Sequence, residues 1–190
     1  MKLIFIRHGE TTGDVEERYG GDYDDHLTAK GQEQAKEALE ELRAKNIKLI
    51  ISSPLIRAQE TAKILADGKC PVITEPAFKE RNQYGILTGR IKEEAMMERP
   101  ELVEFLKDYL NTIDGAESYQ AFRDRIVSTV NNLAHKEKDI CRAIIWHGGP
   151  MRVLFRDILK LGEIGRIGDL AWVEIEGDNG NFKMTDCRRI

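Results

Sequence analysis

The chain has 190 residues, of which 41% are hydrophobic and 33% are charged, and its formal net charge is −4. This length and composition are typical of one globular domain with a sizeable core. The acidic balance disfavours general binding to nucleic acid or to a membrane surface, because both use basic patches. We therefore expect a small-molecule partner, and any anion site must be a local concentration of cations.

Six short apolar runs, several of them rich in β-branched residues, predict the strands of a sheet. In chain order they cover residues 3–6, 49–52, 72–74, 143–146, 171–175 and 182–184. The last two flank a Gly-Asp-Asn-Gly sequence at residues 177–180, which is typical of a turn.

Helical periodicity fills the intervals between these runs. Residues 28–45 place Ala35, Leu39 and Leu42 on one face. Ser53 followed by Pro54 predicts the cap and first turn of a helix that ends near residue 66. Further helical patterns cover residues 100–110, 118–135 and 150–161. The alternation predicts an α/β fold, a mainly parallel sheet with helices on both faces in three α/β/α layers.

The chain shows no internal repeat, low-complexity tract or linker, so we predict a single domain over residues 1–190. Its stretch from residue 90 to residue 115 is the least strand-like and the most charged. We predict that this stretch is a helical insertion over the site that helps to select the substrate. A solvated helical flank is the alternative.

Targeting signals and cysteine pairing are not evident. The first residues carry no signal-peptide pattern, and no apolar run approaches the length of a membrane span. Cys70, Cys141 and Cys187 are scattered without the spacing of metal ligands. We expect a cytoplasmic protein with reduced thiols and no membrane partner.

The motif Arg7-His8-Gly9-Glu10-Thr11 follows the first predicted strand directly. Such a strand delivers its next residues to the carboxyl edge of the sheet, where open α/β folds bind ligands. Histidine can act as a covalent nucleophile, and the arginine guanidinium matches phosphate oxygens. Gly9 allows close approach of the backbone to a ligand. The motif suits phosphoryl transfer to nitrogen, although a structural Arg–His pair is the alternative when it is considered alone.

Two later residues are predicted to join this motif. His147 follows another predicted strand, and Gly148-Gly149-Pro150 after it indicates a helix start, whose N–H groups suit a phosphate. Arg57 lies just inside the helix after the second strand, so its guanidinium can point back into the cleft. The alternatives are a structural strand-end histidine and an ordinary surface arginine.

Four segments, in the same order, make the chain resemble the histidine phosphatase superfamily, also called the phosphoglycerate mutase-like family. They are Arg7-His8-Gly9-Glu10-Thr11; Gly21-Asp22-Tyr23-Asp24-Asp25-His26-Leu27-Thr28 with Gly31 and Gln34-Ala35; Ser52-Ser53-Pro54-Leu55-Ile56-Arg57-Ala58-Gln59-Glu60-Thr61-Ala62; and His147-Gly148-Gly149. Glu80-Arg81, followed by Gly85 and Gly89, is similar to the segment that supplies the family's acid. The likeness extends from residue 2 to about residue 161.

This resemblance implies a fold of the phosphoglycerate mutase type and a role for each matched residue. It implies that His8 is the nucleophile and that Glu80 is the general acid and base. The residues it implies for phosphate binding are Arg7, Arg57, His147, which we expect to be protonated, and Gly148. No acidic cluster with the spacing of a hard-metal site is evident, so we expect neither a metal nor a cofactor.

The chain departs from the family pattern at three places. The family often has Trp-Asn shortly after its first motif, where this chain has Gly13-Asp14. Because an ionised aspartate would repel a phosphate, the phosphate contact of that asparagine is not assigned to Asp14. His26 replaces the usual proline, and the interval from Glu80 to Gly85 is one residue longer than in the pattern.

Other side chains are secondary candidates. Surface solvation is the default expectation for Arg81, Arg90 and Lys92, and contact with an anionic leaving group is the alternative. Of the remaining histidines, His26 is a candidate pocket residue and His135 is expected to be exposed at the end of a helix. Trp146 and Trp172 lie in apolar strands and are expected in the core.

The function implied by the resemblance is hydrolysis of a small phosphorylated metabolite by a metal-independent phosphatase of the histidine acid type, through a phosphohistidine intermediate. One alternative is a cofactor-dependent phosphoglycerate mutase, which shares the site residues; another is a non-catalytic phosphate-binding regulatory protein. The chain is shorter than the mutases it resembles and lacks their arginine pair before a proline-rich stretch, which favours hydrolysis. Glu80-Arg81 and the segment Gly85-Ile86-Leu87-Thr88-Gly89 are nevertheless mutase-like. The sequence leaves open the physiological substrate and the oligomeric state.

Overall fold

A computed structural model describes residues 1–134, 140–178 and 180–190. Its strands are β1 (Lys2–Arg7), β2 (Ile47–Ser52), β3 (Val72–Thr74), β4 (Cys141–Trp146), β5 (Trp172–Asp178) and β6 (Asn181–Arg188). Within these ranges they form a six-stranded sheet in the order β3-β2-β4-β1-β5-β6. The first four strands are parallel, whereas β5 pairs antiparallel with β1 and β6 antiparallel with β5. The predicted mainly parallel sheet is therefore confirmed.

Most of the helices lie in intervals where the sequence predicts them. They are α1 (Thr12–Val15), α2 (Ala29–Leu42), α3 (Ile56–Ala66), α4 (Lys92–Glu98), α5 (Pro100–Phe105), α6 (Tyr119–Ala134) and α7 (Gly148–Val153), which continues as a π-helical segment, Leu154–Ile158. Helix α1 was not predicted, and α5 ends before residue 110. His135 and Asn179, which belong to a predicted helix end and a predicted turn, lie outside the described residues.

Strand β1 shows why the sheet is covered on both faces. Leu3 and Phe5 pack into one apolar cluster with residues of α6 and α7, whereas Ile4 and Ile6 pack into another with residues of α2 and α3. All four side chains are fully buried. A continuous apolar run, rather than an alternating one, is what a strand buried on both faces requires. The three-layer arrangement is thereby confirmed.

The start of α3 differs from the prediction. Ser53 and Pro54 precede the helix, which begins at Ile56 with Leu55 at the cap position. A leucine side chain cannot accept a hydrogen bond, and Asp24 instead accepts one from the Ile56 N–H at 2.9 Å. Ser53 lies ahead of the helix, where its hydroxyl accepts from the Leu55 N–H at 3.3 Å and lies 2.7 Å from Nε2 of His147. A carboxylate from a distant loop thus stabilises the end of α3 that carries Arg57.

The stretch over residues 90–115 contains α4 and α5, as predicted, and these helices have a small core of their own. Its buried members are Leu87, Ala95, Val103 and Leu106. The role of this stretch as an insertion that selects the substrate stays a prediction.

Three further features bear on the sequence predictions. Trp146 and Trp172 are buried in the two main apolar clusters, which confirms their place in the core. The three cysteines carry free thiols. Over the described ranges, the helices are too short or too polar to cross a bilayer.

Candidate active site

The parallel strands bring distant parts of the chain to one edge of the sheet. His8 follows β1 and His147 follows β4, and their ring centroids are 5.2 Å apart. A cleft of about 500 Å³ opens at this edge. Its lining includes Arg7, His8, Arg57, Glu80 and Gly148. The structure therefore brings the predicted site residues together, with His147 fully buried behind the cleft.

His8 has one ring nitrogen fixed by the backbone. Its Nδ1 lies 2.8 Å from the carbonyl oxygen of Gly9. Because a carbonyl can only accept, Nδ1 carries the hydrogen and Nε2 keeps its lone pair. Burial lowers the pKa of His8 well below 6.5, and the neighbouring Arg57 and Arg7 lower it further. The imidazole is thus neutral, as a nucleophile must be.

Gly9 serves packing rather than ligand approach, which corrects the sequence interpretation. A Cβ atom at this position would lie 2.6 Å from the carbonyl oxygen of Gly31. Gly31 lies in the first turn of α2, and a Cβ there would in turn lie 2.1 Å from the carbonyl oxygen of Glu10. The two glycines let the loop after β1 rest directly on the start of α2.

Arg57 is buried at the start of α3 and is held by four protein contacts. Nη1 donates to the carbonyl of Tyr23 and to Oδ1 of Asp25, both at 2.8 Å, and Nη2 donates to the carbonyl of Gly21 at 2.7 Å. Nε donates to Nδ1 of His147 at 3.3 Å. The guanidinium therefore has a fixed orientation, and most of its N–H groups are engaged by the described residues.

Arg7 is held mainly from one side. Its Nη1 donates to the carbonyl of Ile167 at 2.7 Å and lies 3.3 Å from Oδ1 of Asp169. Asp169 is held in turn by Gln34, whose side-chain oxygen accepts from the Glu10 N–H. On its other side, Nη2 of Arg7 lies 3.7 Å from Oδ1 of Asp14.

The protonation of His147 expected beside a phosphate stays a prediction, and the electrostatics of the protein alone favour the neutral ring. Burial lowers its pKa well below 6.5, and the positive charge of Arg57 lowers it further. Because Nδ1 accepts from Arg57, Nε2 carries the hydrogen that it donates to the Ser53 hydroxyl. In this arrangement the ring is neutral, and it orients Arg57.

Glu80 has both carboxyl oxygens on backbone N–H groups. Oε1 accepts from Arg81 at 2.7 Å and Oε2 accepts from Gly149 at 2.9 Å. Burial raises the pKa of Glu80 above 4.5, although these N–H groups and the charges of Arg57 and Arg125 oppose the shift. A Cβ atom on Gly149 would lie 2.1 Å from Oε1, so the glycine makes room for the carboxyl group.

The secondary candidates separate into two groups. Arg81 and Lys92 line the cleft. Arg81 is buried, and its Nη2 has no hydrogen-bond partner among the described residues. Arg90 instead pairs with Glu98 at 2.8 Å, and His26 faces solvent with Nδ1 2.7 Å from Glu60. Neither Arg90 nor His26 lines the cleft, so the default expectation of a surface position describes Arg90, and the candidate pocket role of His26 is wrong.

Sequence reasoning missed several residues of the cleft wall. They are Arg18, Tyr23, Asp25, Tyr84 and Arg152. The position of Arg152, in the first turns of the predicted helix after His147, was a usable signal. Asp25 and Tyr23 carried no such signal, because their contacts with Arg57 depend on how the loop folds against α3. Across the described ranges, no three His, Cys, Asp or Glu side chains group closely enough to hold a metal ion.

A class of protein is defined by a histidine after one strand, a second histidine after the neighbouring parallel strand, and a glutamate whose carboxyl group accepts a hydrogen bond from the first turn of the helix that follows. The chain belongs to the histidine phosphatase superfamily, branch 1, whose sequence model matches residues 3–187. The resemblance based on motifs is thus confirmed.

Individual relatives include both mutase-like and phosphatase proteins. The chain is 32% identical over 160 residues to phosphoglycerate mutase-like protein 4 of Arabidopsis thaliana. The aligned region covers 81% of this chain and 69% of the relative. It is 29% identical over 172 residues to a metal-independent phosphoserine phosphatase of the same plant, covering 87% and 72% of the two chains. The crystal structure of a mycobacterial glucosyl-3-phosphoglycerate phosphatase with VO3 is similar, with a TM-score of 0.85, 26% identity and coverage of 99% and 98%.

Proposed function

We propose that the protein is a metal-independent phosphatase that hydrolyses small phosphomonoesters through a phosphohistidine. The observation that carries this proposal is the state of His8, a neutral imidazole whose Nδ1 is tied to the Gly9 carbonyl and which lines a cleft with two arginines. Glu80, whose pKa is raised, lines the same cleft. A nucleophile, cations and a proton donor therefore occur together.

In the first step Nε2 of His8 attacks phosphorus, and the bond from phosphorus to the ester oxygen breaks. The proton of Glu80 passes to that leaving oxygen, so the product leaves as an alcohol. Arg7 and Arg57 stabilise the charge on the equatorial oxygens, which supplies much of the barrier reduction in phosphoryl transfer. The N–H of Gly148 completes the phosphate site, and His147, whose two ring nitrogens contact Arg57 and Ser53, acts by orienting Arg57.

In the second step water attacks the phosphohistidine. Glu80, now a carboxylate, takes a proton from the water while the bond between nitrogen and phosphorus breaks. Inorganic phosphate forms, and His8 and Glu80 return to their starting states. The same carboxyl group therefore acts as acid and then as base.

We assign the leaving group to the part of the cleft lined by Arg81 and Lys92. The positive charges of these two side chains favour a leaving group that carries an anionic group. The same two cations favour the second candidate function, a phosphoglycerate mutase, as does the name of the plant mutase-like relative. A panel of phosphorylated metabolites, assayed with and without a bisphosphoglycerate primer, separates the two: primer-dependent isomerisation of phosphoglycerate indicates the mutase.

Trapping the intermediate tests the proposal. Rapid quench with a labelled phosphomonoester is expected to give an acid-labile, base-stable adduct on His8, and the variant His8→Ala is expected to lose turnover. Activity in saturating EDTA is expected to persist, because arginines rather than a metal ion carry the charge stabilisation. Label on His147, near-normal turnover by His8→Ala, or loss of activity in EDTA that magnesium restores would each refute it. No turnover of a chromogenic phosphomonoester would favour a non-catalytic phosphate-binding protein.

A further inference from the structure

Asp14 is a carboxylate fixed in the wall of the cleft. It lies at the third position of α1, and its Oδ2 accepts hydrogen bonds from both the N–H and the hydroxyl of Thr11, each at 3.0 Å. Its other oxygen, Oδ1, lies 3.7 Å from Nη2 of Arg7. The carboxylate therefore keeps its orientation toward the arginine.

The two arginines assigned to phosphate binding, Arg7 and Arg57, are already matched by carboxylates before any anion binds. Arg57 pairs with Asp25 at 2.8 Å, and Arg7 pairs with Asp169 at 3.3 Å and with Asp14 at 3.7 Å. Asp169 is held by Gln34 and does not line the cleft, whereas Asp14 does. A phosphoryl group that approaches Arg7 must compete with Asp14 for Nη2 and must also tolerate its negative charge.

We propose that Asp14 is a specificity-determining residue that weakens the hold of this site on inorganic phosphate and so favours its release. The inference rests on the proposed function, because it requires phosphate to bind at Arg7. A hydrolase benefits from such a carboxylate, since phosphate is its product. A mutase must instead retain a bisphosphorylated species, and a negative charge at this position works against retention.

The substitution Asp14→Asn tests the proposal, because the amide keeps an acceptor for Thr11 and removes the charge. Orthophosphate is the probe, titrated calorimetrically into the wild-type protein and the variant. Two like charges a few ångströms apart at a partly exposed site repel each other moderately, because solvent screens part of the interaction. We therefore expect orthophosphate to bind about tenfold more tightly to Asp14→Asn, with the difference shrinking as salt is added.

Two further variants complete the design. Asp14→Ser keeps a hydroxyl acceptor for the cap and is expected to shift affinity in the same direction. Asp67→Asn removes one charge at the far end of α3, where asparagine tolerates the left-handed backbone, and is expected to leave orthophosphate binding unchanged.

The outcomes separate this inference from the proposed function. Tighter binding in both Asp14 variants, and not in Asp67→Asn, supports the role of Asp14, even where the wild-type affinity is too weak to measure. The role of Asp14 is overturned if the wild-type protein turns over substrate and binds orthophosphate while both Asp14 variants bind orthophosphate no more tightly. The proposed function then stays in place. If neither the wild-type protein nor any variant turns over substrate or binds orthophosphate, both the role of Asp14 and the proposed function are overturned.

Discussion

A carboxyl group that protonates a leaving oxygen near neutral pH must keep its proton until the bond breaks. Burial favours this state for Glu80 by raising its pKa, whereas the N–H groups of Arg81 and Gly149 favour the carboxylate. The two influences suit a group that acts first as an acid and then as a base. Glu10, the carboxylate within the first motif, is unsuited because its contact with Lys30 lowers its pKa.

Replacing Glu80 by glutamine is expected to separate chemistry from binding. General acid catalysis is typically worth about 10²–10⁴-fold, so Glu80→Gln is expected to lose kcat by such a factor on alkyl phosphates, whose leaving groups are poor. The phosphorylation step with p-nitrophenyl phosphate is expected to lose much less, because nitrophenolate needs little protonation. Burst kinetics isolate this step, since the second step also needs Glu80.

Orthophosphate affinity serves as the control for this substitution and is expected to change little, because Glu80 is not a phosphate ligand in the proposed mechanism. Equal losses in the first-step rate for the alkyl and nitrophenyl esters would remove Glu80 from the acid role.

Gly149, in the amino-terminal turn of α7, leaves the space that the carboxyl group of Glu80 occupies. A Cβ atom on Gly149 would lie 2.1 Å from Oε1 of Glu80, so Gly149→Ala must displace the carboxyl group or the turn. We expect this variant to lose kcat by a factor approaching that of Glu80→Gln. Gly165→Ala is the matched control, because a Cβ there meets no atom within 4 Å. Full activity in Gly149→Ala would show that the position of Glu80 does not matter.

Helix α3 depends on a cap from another part of the chain. Asp24 accepts from the Ile56 N–H at 2.9 Å, one residue before Arg57. Loss of such a cap typically costs about 1 kcal/mol, and Asp24→Ala is expected to reduce the free energy of unfolding by this amount. It is also expected to raise KM, because the start of the helix fixes Arg57.

Asp24→Asn provides the comparison for this cap, since its amide oxygen still accepts, and it is expected to restore both stability and KM. Urea unfolding and steady-state kinetics measure the two effects. An Asp24→Asn variant as impaired as Asp24→Ala would show that the charge, rather than the cap, is what matters.

The start of α3 also shows where sequence reasoning stops at the scale of an element. Ser53-Pro54 is a standard signal for a helix start, yet the helix begins at Ile56, whose N–H donates to Asp24. The Ser53 hydroxyl accepts from the Leu55 N–H and contacts His147, and neither this tertiary contact nor the one with Asp24 is recorded in a local pattern. Strand β1, in contrast, was predictable, because a run buried on both faces must be apolar throughout.

At the scale of the whole molecule, some features of the site could be predicted from the sequence and others could not. Parallel strands end at one edge of a sheet, so the meeting of His8 and His147 could be predicted from their positions after apolar runs. The pairing of Arg57 with Asp25 could not, because it depends on the path of a loop with no regular structure. The neutral state of His147 could not be predicted either, since it follows from complete burial and from the direction of one hydrogen bond.

Burial of two neutral histidines is expected to make the stability of the whole fold depend on pH. His8 and His147 have pKa values lowered well below 6.5 in the native state, whereas in the unfolded chain they titrate near 6.5. Below about pH 6.5 the unfolded chain therefore binds protons that the native state does not bind. The stabilisation is complete above that pH and is lost as the pH falls, by up to about 1.4 kcal/mol per pH unit for each histidine.

Glu80 and His26 oppose this loss of stability at low pH, so the test compares the wild type with variants that each lack one titrating histidine. The pKa of Glu80 is raised by burial and that of exposed His26 by Glu60, so both favour the native state as the pH falls. His8→Asn removes one buried histidine, and its free energy of urea unfolding is expected to fall less steeply than that of the wild type between about pH 7.5 and about pH 5.5. His26→Gln is expected to change the slope in the opposite direction. If the free energy of unfolding depends on pH in the same way for the wild type and His8→Asn, His8 accepts a proton in the folded protein. His8 would then be cationic rather than nucleophilic at acidic pH.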